Sequence, residues 1–287
     1  MTEKIKTLCI HHNDADGYCS GAIVKYFEKD VTTVSMNYGY DIPWKKIKEA
    51  KKVYMVDFGL QPFSEMIKLS EMKGDNLIWI DHHKTSIEDM EKSGRSFKGL
   101  QIIGQAGCEL TWQYFTEDRM PLIVRLIGRY DVWDLEYSPF LFDLQAGLKY
   151  VDVDADDDEF WQRHFRSNQE TDELIKKGEI CNKYQQNLYN SYVNSHSFSM
   201  SWEGYNFLVC NALNVNSKLF DIKFDKTKYD AVMAFGYTNK KWSISMYTDK
   251  SGIDVGSLAK KYGGGGHTGA AGMQCPDGLP FELPNMK

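Results

Sequence analysis

The run Asn76-Leu77-Ile78-Trp79 leads straight into Ile80-Asp81-His82-His83-Lys84. A run this short and apolar reads as a buried strand. Three ionisable side chains therefore stand where the strand leaves its sheet. In open α/β sheets that is where ligands collect, outside the carboxyl ends of strands. Imidazole and carboxylate together can bind a divalent metal, orient a ligand or pass a proton. A polar turn with one satisfied histidine would show the same letters, so the reading depends on the other strand ends.

Thr7-Leu8-Cys9-Ile10 reads as a first strand and runs into His11-His12-Asn13-Asp14-Ala15-Asp16-Gly17. A helix is expected next, because Ile23, Tyr26 and Phe27 keep helical spacing. Residues 31–38 are a second, β-branched strand, and a short basic helix follows Asp41-Ile42-Pro43-Trp44. Val53-Tyr54-Met55-Val56 is a third strand, ending in Asp57-Phe58-Gly59. Pro62 suits the first turn of the next helix, Phe63, Met66 and Ile67 share a face, and Gly74 suits its stop. Strands alternating with helices imply right-handed crossovers and a mostly parallel sheet. Such a sheet turns all three acidic or imidazole strand ends to one edge.

Further on, Gln101-Ile102-Ile103 reads as a strand, and residues 104–109 lead into a helix with Leu110, Tyr114 and Phe115. Residues 121–130 are a second helix, running into Asp131-Val132-Trp133-Asp134. Residues 152–159 read as an acidic loop, and 159–195 as one or two polar helices. A second domain shows strands at 206–210, 231–235 and 242–247, and a short helix at 255–262. The expected fold is α/β: a mostly parallel sheet with flanking helices over residues 1–190, a linker at 191–200, and a smaller α/β domain over 201–287.

A length of 287 residues fits two domains, and 26% charged with 42% apolar residues suits a soluble globular protein. A net charge of −6 argues against a surface that coats polyanions. An anionic substrate would have to be met locally, by metal ions or a few placed groups. Met1-Thr2-Glu3-Lys4 leads into a strand-like run, and no apolar run is long enough for a signal peptide or a membrane span. The six cysteines form no Cys-x-x-Cys pair. They read as reduced thiols of a cytoplasmic protein that does not contact a membrane.

Asp14 and Asp16, two apart after a strand, can point into one pocket, where they repel unless a cation lies between them. An EF-hand is excluded by count: with His12 as the first loop position the twelfth is Ile23, not Glu. Asp57, His82, His83 and Asp131 bring the sum to about four carboxylates and two or three histidines, a hard-to-borderline set that favours manganese or magnesium over zinc or iron. It is too many donors for one ion. Two ions about 3.5–4 Å apart, bridged by a carboxylate, would use them all and would suit displacement at phosphorus. An imidazole that is not a ligand would then be left to donate to a phosphate or leaving oxygen.

Gly263-Gly264-Gly265-Gly266-His267, with Thr268-Gly269-Ala270-Ala271-Gly272 after it, follows a helix. Four glycines let backbone approach a phosphate closely, with N–H groups turned outward. No Gly-x-x-x-x-Gly-Lys spacing exists, so this is no nucleotide P-loop. A flexible turn is the plainer reading.

Taken in order, His12-x-Asp14-x-Asp16-Gly17, Asp57, Asp81-His82-His83 and Asp131 resemble the DHH phosphoesterase superfamily. The glycine–histidine run resembles the substrate-binding C-terminal domain common in that superfamily. The look is closest to its oligoribonuclease and nucleotide-phosphodiesterase members. The resemblance implies a manganese-dependent hydrolase with two ions, for which Mg2+ or Co2+ could substitute, and a site in a cleft between the domains. It implies that His12 and Asp14 hold one ion, that Asp16, His82 and Asp131 hold the other, and that Asp57 bridges them. His83 would contact phosphate, Asp81 would orient the histidine pair, and Gly264, Gly265, Gly266 and His267 would grip substrate. His11 stands beside His12 as the other candidate ligand, and Ser245-Met246-Tyr247-Thr248 lacks the Arg that many relatives carry there. His164 and His196 read as structural or surface residues. Tyr130 and Trp133 could stack on a base or pack in the core. The expected activity is hydrolysis of short single-stranded oligonucleotides or linear dinucleotides, in an exonuclease-like manner, to 5′-mononucleotides. Its rivals are a phosphatase or phosphodiesterase for a cyclic nucleotide, a monoester, a bisphosphate or pyrophosphate, and a nucleotide sensor without turnover. A homodimer is compatible with all three.

Overall fold

A computed structural model of the protein describes residues 5–213, 215, 217–220, 223–238 and 240–283. The chain forms two compact units, Met1–Asn182 and Lys183–Lys287.

The first unit opens with strict alternation: β1 (Thr7–His12), α1 (Ala15–Phe27), β2 (Val31–Met36), α2 (Trp44–Glu49), β3 (Lys52–Val56), α3 (Phe63–Lys73), β4 (Leu77–Asp81), α4 (Lys84–Ser93) and β5 (Gly99–Gln101). The strands make a parallel sheet in the order β2-β1-β3-β4-β5. Side chains alternate between its faces. Leu8, Ile10, Val53, Met55, Leu77 and Trp79 pack on one face with Ile47 of α2 and Phe63, Met66 and Leu69 of α3. Cys9, Tyr54, Val56, Ile78 and Ile80 pack on the other with Val24 of α1 and Leu110 of α5 (Gly107–Phe115). Both faces are therefore covered, which is why β4 reads as an unbroken apolar run. Burial of Ile78, Trp79 and Ile80 stabilises by about 1.5–3 kcal/mol each. That offsets the cost of carrying Asp81, also fully buried, at the end of the same strand.

Three more helices follow in this unit, α6 (Leu122–Asp131), α7 (Phe140–Val151) and α8 (Asp158–Arg166), before the first half of a long ninth helix completes it. With α1 and α5 they share an apolar core that includes Ile123, Ile127, Leu144, Leu148 and Trp161. α7, whose Phe140-Leu141-Phe142 start follows Pro139, is a helix beyond those expected from sequence. β5 ends two residues earlier than expected: Ile102 and Ile103 lie beyond the strand, 43% and 53% exposed. α9 (Asn168–His196) is a single long helix. The connection expected at 191–200 falls on the end of this helix and the start of β6 (Ser197–Trp202).

The second unit is a six-stranded sheet built from β6, β7 (Tyr205–Asn211), β8 (Ala231–Thr238), β9 (Lys241–Tyr247), β10 (Gly265–His267) and β11 (Ala270–Cys275). Its order is β10-β11-β9-β8-β7-β6, antiparallel except for β7 against β8. Helix α10 (Val255–Lys261) packs Val255, Leu258 and Ala259 against Val209, Met233 and Met246. β6, β10 and β11 were not foreseen. β10 and β11 are glycine- and alanine-rich and carry no β-branched signal.

Candidate metal centre

Four separate elements end at one edge of the parallel sheet. β1 delivers Asn13 and Asp14. Asp14 caps α1, its Oδ1 accepting from Gly17 N at 2.9 Å, and its Oδ2 lies 2.6 Å from His12 Nδ1. Only glycine fits at position 17, because a Cβ there would lie 2.2 Å from the His12 carbonyl oxygen. β3 delivers Asp57 in a left-handed conformation, with φ of 52°. The turn that carries it is pinned by the core: Trp79 Nε1 donates to the Phe58 carbonyl at 2.9 Å. β4 delivers Asp81, His82 and His83. Asp81 Oδ1 accepts from His82 N at 2.8 Å, from His83 N at 3.3 Å and from the His83 ring at Nδ1 at 2.7 Å. Asp131 is the last residue of α6.

A further arrangement was invisible in the sequence. The amides of Gly107 and Cys108, at the start of α5, donate to Asp16 at 2.8 and 2.7 Å, one to each carboxylate oxygen. Free amides and the helix dipole make such a terminus a natural seat for a negative group. It holds a buried carboxylate across 91 residues of sequence. Gly107 must stay bare, since a Cβ there would meet Asp57 Cβ at 2.5 Å.

His82 Nε2 is central, 3.2 Å from Asp57 Oδ1, 3.3 Å from Asp131 Oδ2 and 3.7 Å from Asp16 Oδ2. Donor atoms of His12, Asp14 and Asp57 lie within 4.8 Å of one another; so do those of Asp16, His82 and Asp131, and those of Asp57, His82 and His83. His12, Asp14, Asp16, Asp57, His82, His83 and Asp131 are thus brought together, with Asp81 bonded to His83. His11 is not among them. Adjacent strand residues face opposite ways, and the His11 ring is buried against Gly21, with Nδ1 2.8 Å from the His12 carbonyl.

The electrostatics fit a cation-binding pocket. Asp57 is 1% exposed, and neither of its oxygens has a hydrogen-bond partner. Burial, then the charges of Asp16, Asp14 and Asp131, hold its pKa well above the ordinary carboxylate range. Burial and the charges of Asp16 and Asp14 push Asp131 up to about 7. Burial pushes His82 down, which keeps its ring neutral and able to ligate. Burial also pulls on His83, but the hydrogen bond and charge of Asp81 prevail and raise it. His12 is raised by its bond to Asp14. Burial pushes Asp14 up, yet the bonds from His12 and Gly17 outweigh it and leave Asp14 lowered. Buried carboxylates that repel one another and lack donors are stable as anions only beside positive charge. These residues therefore fit a divalent cation, with Asp57 common to two of the donor groups.

The rim of the cluster carries Tyr38, its ring 5.1 Å from Phe58, 5.9 Å from His12 and 6.3 Å from His83. Tyr38 lies beyond the end of β2 at Met36, not within the strand expected over residues 31–38. Trp133 is 62% exposed, whereas the Tyr130 ring packs edge-on to Phe142. His164 is buried, its Nδ1 3.2 Å from Thr171 Oγ1, as a structural residue would be.

In the second unit the glycine run is less open than its composition suggests. Gly263 N and Gly264 N donate to the carbonyls of Lys260 and Ala259 at 3.2 and 2.9 Å, closing the end of α10. The Gly264 amide, expected to face a phosphate, is therefore already used. Gly265, Gly266 and His267 form the edge strand β10, paired with Gly272, Ala271 and Ala270. A Cβ at Gly266 would lie 2.5 Å from Ala270 O, so its bareness serves strand packing; Gly265 and the exposed His267 are free of that constraint.

Residues 6–127 match the model of the DHH family, N-terminal domain, and residues 206–286 match that of the DHHA1 domain. An uncharacterized protein, R106, of Acanthamoeba polyphaga mimivirus is 26% identical over 281 residues, which span 90% of this chain and 60% of that protein. Oligoribonuclease NrnB of Bacillus subtilis is 25% identical over 305 residues, 95% of this chain and 73% of its own. A solved pGpG-specific phosphodiesterase of Vibrio cholerae shares the fold with a TM-score of 0.53 at 13% identity, over 94% of this chain and 93% of its own.

Proposed function

The chain belongs to the DHH family of phosphoesterases, with a DHH domain followed by a DHHA1 domain, and from that premise we propose that it is a metal-dependent phosphodiesterase cleaving short oligonucleotides or linear dinucleotides to 5′-mononucleotides. The observation that carries this reading is Asp57, a buried carboxylate without a hydrogen bond that is shared by two groups of donor atoms. The choice of a nucleotide substrate follows the likeness to NrnB.

In this reading His12 and Asp14 hold one cation, Asp16, His82 and Asp131 hold a second, and Asp57 is shared. Manganese suits the mixed carboxylate and imidazole donors, and Mg2+ or Co2+ would fit the same set. When bound, such a pair supplies positive charge beside phosphoryl oxygens and lowers the pKa of water. The chain's own part is to keep the donors in place: the α5 amides fix Asp16, the cap on α1 fixes Asp14, and Trp79 fixes the Asp57 turn. His83 Nδ1 is committed to Asp81, which leaves Nε2 to carry a proton toward a phosphate or departing oxygen. In the second unit Gly265, Gly266 and His267 are assigned to substrate phosphate.

The test is incubation of the pure protein with Mn2+ and a panel of di- to pentanucleotides, cyclic dinucleotides and pyrophosphate. Turnover of the short linear substrates to 5′-mononucleotides is expected. Turnover of a cyclic nucleotide or pyrophosphate alone would overturn the substrate assignment, and tight binding without turnover would make the protein a sensor.

A further inference from the structure

A cavity of about 380 Å³ opens beside the cation-binding cluster, lined only by residues of the first unit. Asp14 belongs to both: it faces His12 in the cluster and also stands in the cavity wall. Trp161, 2% exposed, and Leu148, 6% exposed, close the inner end. The rings of Tyr18 and Tyr130 form half-buried sides, and Lys149 and Asp152 stand exposed at the mouth. The polar tips of two of these rings are already engaged. Trp161 Nε1 donates to Asp154 O at 2.7 Å, and the Tyr18 hydroxyl donates to Asn13 Oδ1. Tyr18 is left to offer the cavity ring surface, while Trp161, almost wholly buried, closes its floor. Gln145 also lines it, and its Nε2 is buried without a hydrogen-bond partner.

Two half-buried tyrosine rings over a tryptophan floor, an unengaged amide, one cation and two carboxylates, Asp14 and Asp152, suit a flat heterocycle with donors and acceptors along its edge. The volume is at the small end of the range of about 300–1,000 Å³ usual for small-ligand sites. It fits one nucleoside and not two. We propose that this cavity binds the nucleobase of the nucleotide whose phosphate is held at the cation-binding cluster. The proposal rests on the nucleotide reading above and adds where the base goes: between α1, α6, α7 and α8, on the Asp14 side of the cluster. The protein would then read a single nucleoside next to the reacting phosphate, stacking on rings that accept any base and hydrogen-bonding through Gln145.

The experiment is calorimetric titration of the Mn2+-loaded protein with AMP and with ribose 5-phosphate, which share the phosphate and sugar and differ by the base. AMP is expected to bind at least tenfold more tightly. Val153→Trp fills the cavity and should bring the ratio of the two affinities toward one. Gln145→Leu, of similar size, should lower it several-fold. Lys149→Ala, at the exposed mouth, provides a third variant should the larger substitution fail to fold. Equal affinity for AMP and ribose 5-phosphate in the unaltered protein would overturn the proposal. So would an AMP preference that survives the filled cavity in a variant with an unchanged melting temperature. A protein that hydrolyses dinucleotides yet shows no AMP preference refutes the cavity alone. One that neither hydrolyses them nor binds either phosphate refutes the nucleotide reading as well.

Discussion

At the carboxyl edge of the first unit's sheet, buried polar atoms go without partners: both oxygens of Asp57, Oδ2 of Asp81 and Oγ of Ser86. In the glycine hairpin of the second unit the reverse holds. Its first amides close a helix, its strand pairs with β11, and its one imidazole is exposed. The first region is held in place by the fold at an energetic cost that a bound cation, or protonation of its carboxyls, would remove. The second is a satisfied backbone with one strand at the edge of its sheet. Substitutions in the two should therefore differ in kind: metal content and rate for the edge, backbone fit or substrate affinity for the hairpin.

The largest effect should come from Asp57→Asn. Activity is expected to fall by at least about 10³-fold, with loss of bound metal by elemental analysis. The metal-free protein should melt at a higher temperature than the unaltered one, because a buried charge without a partner has been removed. Retention of the full metal content would break the contrast. His83→Ala comes next, with a rate loss of about 10²-fold and metal content largely kept. Metal loss equal to that of Asp57→Asn would make His83 a ligand, a placement that the grouping of Asp57, His82 and His83 leaves open. Gly107→Ala sharpens the comparison further. Its Cβ would press on Asp57 and shift the amides that hold Asp16, so metal affinity should drop about 10–100-fold. Gly265→Ala in the hairpin has open space for its Cβ and should leave both metal affinity and melting temperature unchanged.

The smallest effect is one of pH. Asp57 and Asp131 have raised pKa values in the folded state, Asp131 to about 7. The folded chain thus binds more protons than the unfolded one, and stability is lost as pH rises from the unfolded carboxylate range, near 4, to about 7. His164, lowered to about 4 by burial, and Asp14, also lowered, act the opposite way and lose stability as pH falls. The comparison is therefore metal-free protein against Asp131→Asn. The variant should gain on the unaltered protein between pH 5 and 7.5, by a few degrees at the rate of about 2–4 °C per kcal/mol. Added Mn2+ should erase the difference in slope. Identical pH profiles would show that Asp131 is not under strain.

Most of the first unit was legible because apolar runs and strand ends are local signals. β1, β3 and β4, the edge they share and the residues on it could be read from spacing alone. Choosing between His11 and His12 needed one more fact, the exact end of β1, which sets the face each ring takes. The amides of Gly107 and Cys108 could not be found this way, since a helix N-terminus shows no sign in sequence of the carboxylate it will hold. α7 is hard to see in sequence because its apolar residues start directly after Ser138-Pro139, a pair that by itself favours a turn. The hairpin of β10 and β11 was missed because glycine and alanine pair through backbone alone.

Trp79 links these scales. Its ring lies in the apolar layer beneath the sheet, and its indole proton ends on the turn that presents Asp57. Freed from that tether, the turn could swing its carboxylate toward water and ease the crowding of like charges. The lower layer of the sheet thus acts as a latch on the charged edge above it. Its tolerance to repacking is set by how firmly the turn must be restrained, as well as by the fit of its own side chains.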